Sequence, residues 1–153
     1  MPGVRIMETH ENYNRQHQDL RTEDGIEYGD VIEGVDFDYA RKLTALNVVS
    51  LAGMAMAPPF PTGVEIEGAV RPSTTLSWKI PEGNAADNLD GYRVYWRLTT
   101  APQWTWSRDV GMVDSYTLEN VVIDNYLFGV ASVSRDGYES PVVFPGATGS
   151  FGN

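Results

Sequence analysis

"TTLSWKI" (74–80) decides how the larger part of this chain folds. Apolar and polar residues alternate in it, the period of a strand with one buried face, and the run carries Trp78. Six further runs share its character: "GVEIEGAV" (63–70), "GYRVYWRLT" (91–99), "TWSRDVG" (105–111), "SYTLENV" (115–121), "NYLFGVASVS" (125–134) and "SPVVFP" (140–145). Turn-rich stretches such as "PEGNAADNLDG" and "RDGYES" separate them. About seven short strands with such punctuation is the pattern of an antiparallel sandwich. Alternation buries one face of each sheet, and two sheets are expected to close over Trp78, Tyr92 and Tyr126.

The rhythm changes at "APPFPTG" (57–63), where three prolines and a glycine end any helix. This places a first segment at 1–57, a linker at 58–63, a β domain at 64–147 and a tail at 148–153. In the first segment, "GVRIME" (3–8) reads as a short strand. Residues 9–35 are polar, spotted with glycine, and read as loop, "RTEDGIEYGD" (21–30) included. "DFDYARKLTALNVVSLAGMAMA" (36–57) reads as the best helix of the chain, with Asp36 as its cap and Asp38 at the positive end of its dipole. Its second half is apolar nearly all round, so it is expected to lie buried against something large.

The totals narrow the function classes. The 153 residues carry 11 Lys plus Arg against 21 Asp plus Glu, a net charge of −10. The excess is spread evenly, with 5 basic and 10 acidic residues in 1–57 and 6 and 11 in 58–153. Such a surface repels phosphate backbones, so nucleic acid is not expected as a partner. Cysteine is absent, which excludes disulfides, thiolate metal sites and cysteine nucleophiles. The start has no signal-peptide pattern. The longest apolar stretch (43–57) falls short of the roughly 20 residues of a membrane span, so no membrane partner is expected.

On the residues just quoted, the β half resembles a fibronectin type III domain. Trp78 stands where that fold keeps a buried tryptophan on its second strand. Tyr92 and Val94 of "GYRVYWR" match inward positions of the third strand, and Leu118 precedes the corner that leads to Phe128 and Val130. Tyr126 takes the place of the corner tyrosine. The cysteine pair of true immunoglobulin domains is missing. Domains of this kind bind or space far more often than they catalyse. The one stretch that could do more than fill a core is "YWRLTTAPQWTW" (95–106). Its aromatics either pack across adjacent strands or against the first segment, the favoured reading, or offer faces to a sugar or protein partner.

The first segment raises a different question at "ETHENYNRQHQD" (8–19), which holds both histidines of the chain beside Glu8, Glu11 and Asp19. A lone loop histidine is ordinarily just solvated. A catalytic zinc needs three protein ligands converging from separate elements and an open position, and no H-E-x-x-H motif is present. The order of strand, histidine loop, "VDFDY" helix, linker and β domain nevertheless resembles the C-terminal end of zinc-dependent exopeptidases of the aminopeptidase type. The resemblance covers residues 3–57. It implies a strand–loop–helix remnant of an α/β peptidase domain, followed by the fibronectin-like domain. It also implies that His17 is the last zinc ligand, with His10 the lesser candidate and Glu8, Glu11 and Asp19 as loop or supporting groups. The remaining ligands would come from elsewhere in such an enzyme.

The resemblance implies hydrolysis of an N-terminal or small-peptide amide, zinc in the parent enzyme, a peptide substrate, and an extracellular or periplasmic location. The chain alone is expected to hold no zinc and to be inactive. The alternative is a stand-alone fibronectin-like binding or structural module that contacts a protein or polysaccharide. The apolar helix is expected either to dock on the fibronectin-like domain or to make the chain self-associate. No glycine-rich phosphate loop, no G-x-S-x-G elbow and no calcium-loop spacing is present. Glu65 and Glu67 read as solvated acids rather than a glycosidase pair.

Overall fold

The computed structural model describes residues 6–82 and 87–146. The chain parts into two compact units, Met1–Ser50 and Leu51–Asn153. The division falls inside the helix of the first segment, ahead of the boundary expected at residue 57.

In the first unit the expected strand at 3–8 lies partly outside the described residues, and Ile6–Glu8 have no regular structure. The stretch read as plain loop instead contains a β-hairpin. β1 (Arg21–Glu23) pairs antiparallel with β2 (Ile26–Tyr28), with Glu23 opposite Ile26. The two-residue turn Asp24-Gly25 has φ of 52° and 79°. Positive φ at both central positions matches the right-handed twist of the strands, and Asp-Gly is a sequence that tolerates it. The Arg21 guanidinium lies 4.0 Å from the centre of the Tyr28 ring across this hairpin.

The helix α1 (Phe37–Met56) forms as expected. Asp36 caps it, its Oδ1 accepting from the Tyr39 N–H at 2.9 Å, and Asp38 sits in the first turn. The expected burial is not met, because no residue of α1 is buried. Among the described residues of the first unit only Gly29 is buried, so this unit has no hydrophobic core of its own. No helix of the described residues is long and apolar enough to cross a membrane.

The second unit is a β-sandwich. One antiparallel sheet has the order β3 (Thr62–Glu67), β4 (Thr74–Lys79), β7 (Ser115–Leu118). The other has the order β6 (Trp106–Gly111), β5 (Leu89–Leu98), β8 (Tyr126–Ser134). Their inner faces share one core. Val64, Leu76, Trp78 and Leu118 come from the first sheet, and Tyr92, Val94, Phe128 and Val130 from the second. Trp78 meets Tyr92 with ring centres 5.2 Å apart. Glu65 and Glu67 point outward, as read from the alternation.

Two details differ from the expectation. The described β unit has six strands rather than seven. The last run, "SPVVFP", makes one isolated bridge, Val143 with Val130, and Glu139 just ahead of it makes another with Val133. Pro141 and Pro145 supply no N–H for a ladder, which breaks the run on both sides of Val143. Tyr126 is also not enclosed with Trp78 and Tyr92. It is half-buried at the edge of the core and meets Trp106 edge-on at 5.8 Å.

Candidate metal corner and aromatic faces

The histidine loop is shaped by one turn of helix. The N–H groups of Arg15 and Gln16 both donate to the Asn12 carbonyl at 3.0 Å, and Asn12 Oδ1 accepts from the Asn14 N–H. His17 ends this turn with φ of 55°, the left-handed conformation that commonly closes a helical turn. That conformation is uncommon for a residue with a side chain. It turns the chain so that His17 stands exposed.

Two ties hold the loop against the hairpin. Gly29 N–H donates to the Asn14 carbonyl at 2.9 Å, and Arg15 Nη2 meets Glu27 Oε2 at 3.0 Å. Gly29 is at φ of 94° with the Leu20 backbone 3.1 Å from where a Cβ would sit, so a side chain there would push the loop off the hairpin. The turn and its ties therefore give His17 a defined place on the unit.

Among the described residues no other ligand converges on it. His10, Glu8 and Asp19 are exposed, and Glu11 is half-buried and engaged with a partner of its own. Among the described residues no group of three or more His, Asp or Glu side chains could hold a metal ion. The donor set present therefore does not fit a zinc ion by itself, and no chemical step follows from this chain alone. Beside the loop lies an open concavity of ≈ 470 Å³. Ile6, Gln16, Val35, Tyr39 and Leu43 help line it.

The aromatics of 95–106 divide between two faces. Trp96 stacks on Trp106 at 6.2 Å with ring planes 20° apart, and Trp96 packs against the core. On the outer face of the same sheet Trp104 lies between Tyr95 (5.8 Å) and Phe144 (5.2 Å), with Arg97 5.5 Å above its ring. These outer rings are tilted by 46° and 36°, so they pack on one another and do not form the flat platform that stacks on a sugar. Beside them Arg93 pairs with Asp109 at 2.6 Å and with Glu139, and the Tyr95 hydroxyl donates to Glu139. The packing reading of this stretch holds for Trp96 and Trp104. Trp106 (40%) and Phe144 (50%) keep substantial exposure.

No family model matches the chain. Several curated proteins are similar to it across most of its length. A probable zinc metalloprotease of Pyrenophora tritici-repentis (strain Pt-1C-BFP) is 40% identical over 145 residues, which is 94% of this chain and 29% of that protein. One of Leptosphaeria maculans is 42% identical over 94% of this chain and 33% of that protein. One of Pyricularia oryzae is 39% identical over 94% and 29%. The chain thus spans about a third of the length of the curated relatives it matches.

Among solved structures, a Fn3-like protein from Clostridium thermocellum is 24% identical with a TM-score of 0.45, covering 56% of this chain and 85% of that one. The fn3 domain of human collagen alpha-1(XX) chain is 16% identical with a TM-score of 0.43, covering 63% and 94%. The sandwich described above stands on its own strand order and core.

Proposed function

We propose that this chain is the C-terminal third of a zinc-dependent exopeptidase of the aminopeptidase type, with a fibronectin type III-like module attached. One observation carries the reading: about 40% identity, across 94% of the chain, to proteins named probable zinc metalloproteases. In the reading, His17 is one zinc ligand, held out on its turn to meet a metal whose other ligands lie in the rest of the enzyme. The substrate is a peptide, cleaved at its N-terminal end, and the enzyme works in an extracellular or periplasmic setting. The chain alone holds no zinc.

The test is made on a protein that carries the remaining length of the relatives ahead of this chain. Zinc-dependent release of N-terminal residues from a peptide is expected. It should be nearly abolished by His17→Ala and kept by His10→Ala. Full zinc-dependent activity in the His17→Ala protein would sink the assignment of His17. Cleavage confined to internal bonds would sink the exopeptidase class.

A second reading is favoured by one feature, the shared core of the β unit, whereas the described residues of the first unit form none. Here the sandwich acts as a binding or structural module for a protein or polysaccharide, and the first unit serves only as its extension. An open reading frame ahead of Met1 that encodes histidine, aspartate and glutamate ligands decides for the first reading.

A further inference from the structure

From Leu43 to Met56 the helix α1 carries no charged residue. Its large apolar side chains are nonetheless exposed: Val48 59%, Val49 70% and Met54 56%. At about 100° per residue these three point in directions roughly 120° apart. Apolar surface therefore runs round the whole circumference, and not along one stripe. A helix of this kind is an interior element, because a one-sided contact leaves the rest of its apolar surface in water.

The polar side chains of the same stretch point to the same end. Thr44 Oγ1 donates to the Ala40 carbonyl at 2.9 Å, Asn47 Nδ2 to the Leu43 carbonyl at 2.8 Å, and Ser50 Oγ to the Leu46 carbonyl at 2.8 Å. Burying a polar group is costly only where it loses water without gaining a partner. Each of these groups already has a partner within its own helix. The Thr44 and Ser50 hydroxyls can therefore donate without any acceptor from the surroundings, and only the second N–H and the oxygen of the Asn47 amide would need partners there.

Resting on the proposed function, we infer that residues 43–56 are encased on all sides by the rest of a metalloprotease chain, the two thirds that the relatives possess beyond the matched part. A second copy of this chain is the poorer occupant. A symmetric helix pair covers one face of each helix, and here three faces need cover.

The test compares this chain with a chimera in which the unmatched part of the Pyrenophora tritici-repentis protein is joined to it in the relative's order. Hydrogen exchange of the amides in 43–56 is expected to be at least about tenfold slower in the chimera. Val48→Asp, Val49→Asp and Met54→Asp should each lower the melting temperature of the chimera. The same substitutions should leave unfolding of the β unit in the shorter chain unchanged.

Sensitivity to only one of the three substitutions would mean one-sided docking and would overturn encasement. Concentration-dependent dimers of the short chain with protected 43–56 amides would assign the surface to a second copy. An insoluble chimera, or one whose amides stay as open as in the short chain, would also overturn the inference. None of these readouts needs zinc or peptidase activity. An encased helix in a protein without zinc-dependent cleavage would therefore remove the proposed function and leave the encasement standing.

Discussion

Trp78 is the residue on which the β unit turns. It is 4% exposed, comes from the middle strand of its sheet, and meets Tyr92 across the sandwich. Trp78→Ala is expected to cost about 3–5 kcal/mol, the range for a large buried aromatic. Denaturant unfolding of the β unit checks this, and a silent substitution would contradict the packing. Tyr92 makes a second residue-scale prediction. Its hydroxyl is buried without a hydrogen-bond partner among the described residues. Burial pushes its phenol pKa up, because the phenolate loses water. Burial also raises that of Tyr95, helped by its bond to Glu139. A raised folded-state pKa stabilises the fold below the ordinary phenol value of about 10, and the contribution is lost as pH rises through the folded value. Stability should therefore be indifferent to these two groups near neutrality and fall in the alkaline range. Phenolate absorbance should show Tyr92 and Tyr95 ionising above the ordinary phenol value. Their ionisation at or below that value, before unfolding, would refute the burial.

At the scale of elements, three pieces show how legible the sequence was. The helix α1 was readable because its start carries its own chemistry in Asp36 and Asp38, which needs no tertiary partner. The hairpin β1–β2 was equally available from Asp24-Gly25, the strongest short-range hairpin signal. Its strands are three residues long and mostly exposed, so they carry no apolar alternation to mark them. The apolar residues of the final run fit a strand, while its prolines forbid the ladder. That run is held by side chains as much as by its backbone. Ser140 Oγ accepts from the buried Ser132 N–H at 3.0 Å, and Arg93 and Tyr95 hold Glu139. Val142 and Trp104 lie over Gly129, where the sheet has no side chain. A Cβ at Gly129 would collide with Val142 Cγ1 and lie 3.2 Å from the Val143 carbonyl oxygen and 3.3 Å from Trp104. Gly129→Ala should therefore cost about 1–3 kcal/mol, as overpacking does, and should speed exchange at the Val143 amide. An unchanged melting temperature would show that the strap yields without cost.

For the whole molecule, the two units predict opposite behaviour. The β unit owns its core, so a fragment of residues 58–146 should unfold cooperatively, with a single transition by fluorescence and circular dichroism. A fragment without a transition would show that it depends on the first unit. The first unit offers one histidine on a well-placed turn and no converging ligands among its described residues. Purified chain with added zinc should therefore release no amino acid from a peptide, because an open catalytic site needs three ligands. Robust turnover that His17→Ala abolishes would overturn this.

Elements whose signals are local follow from the amino-acid order without any tertiary partner. These are the alternation that sets the β unit's inward residues, the capped helix and the prolines between them. Periodicity, capping and turn chemistry act over a few residues, so they survive being read one stretch at a time. Tertiary structure alone decided what depends on distant neighbours. It placed Tyr126 at the rim beside Trp106, and it tilted Trp104 into Tyr95 and Phe144 instead of leaving a flat face. It reduced the last run to bridges strapped by Arg93, and it left α1 uncovered. Each of these follows from which surfaces meet across the chain, and burial is a property of a pair of surfaces that neither partner's sequence contains.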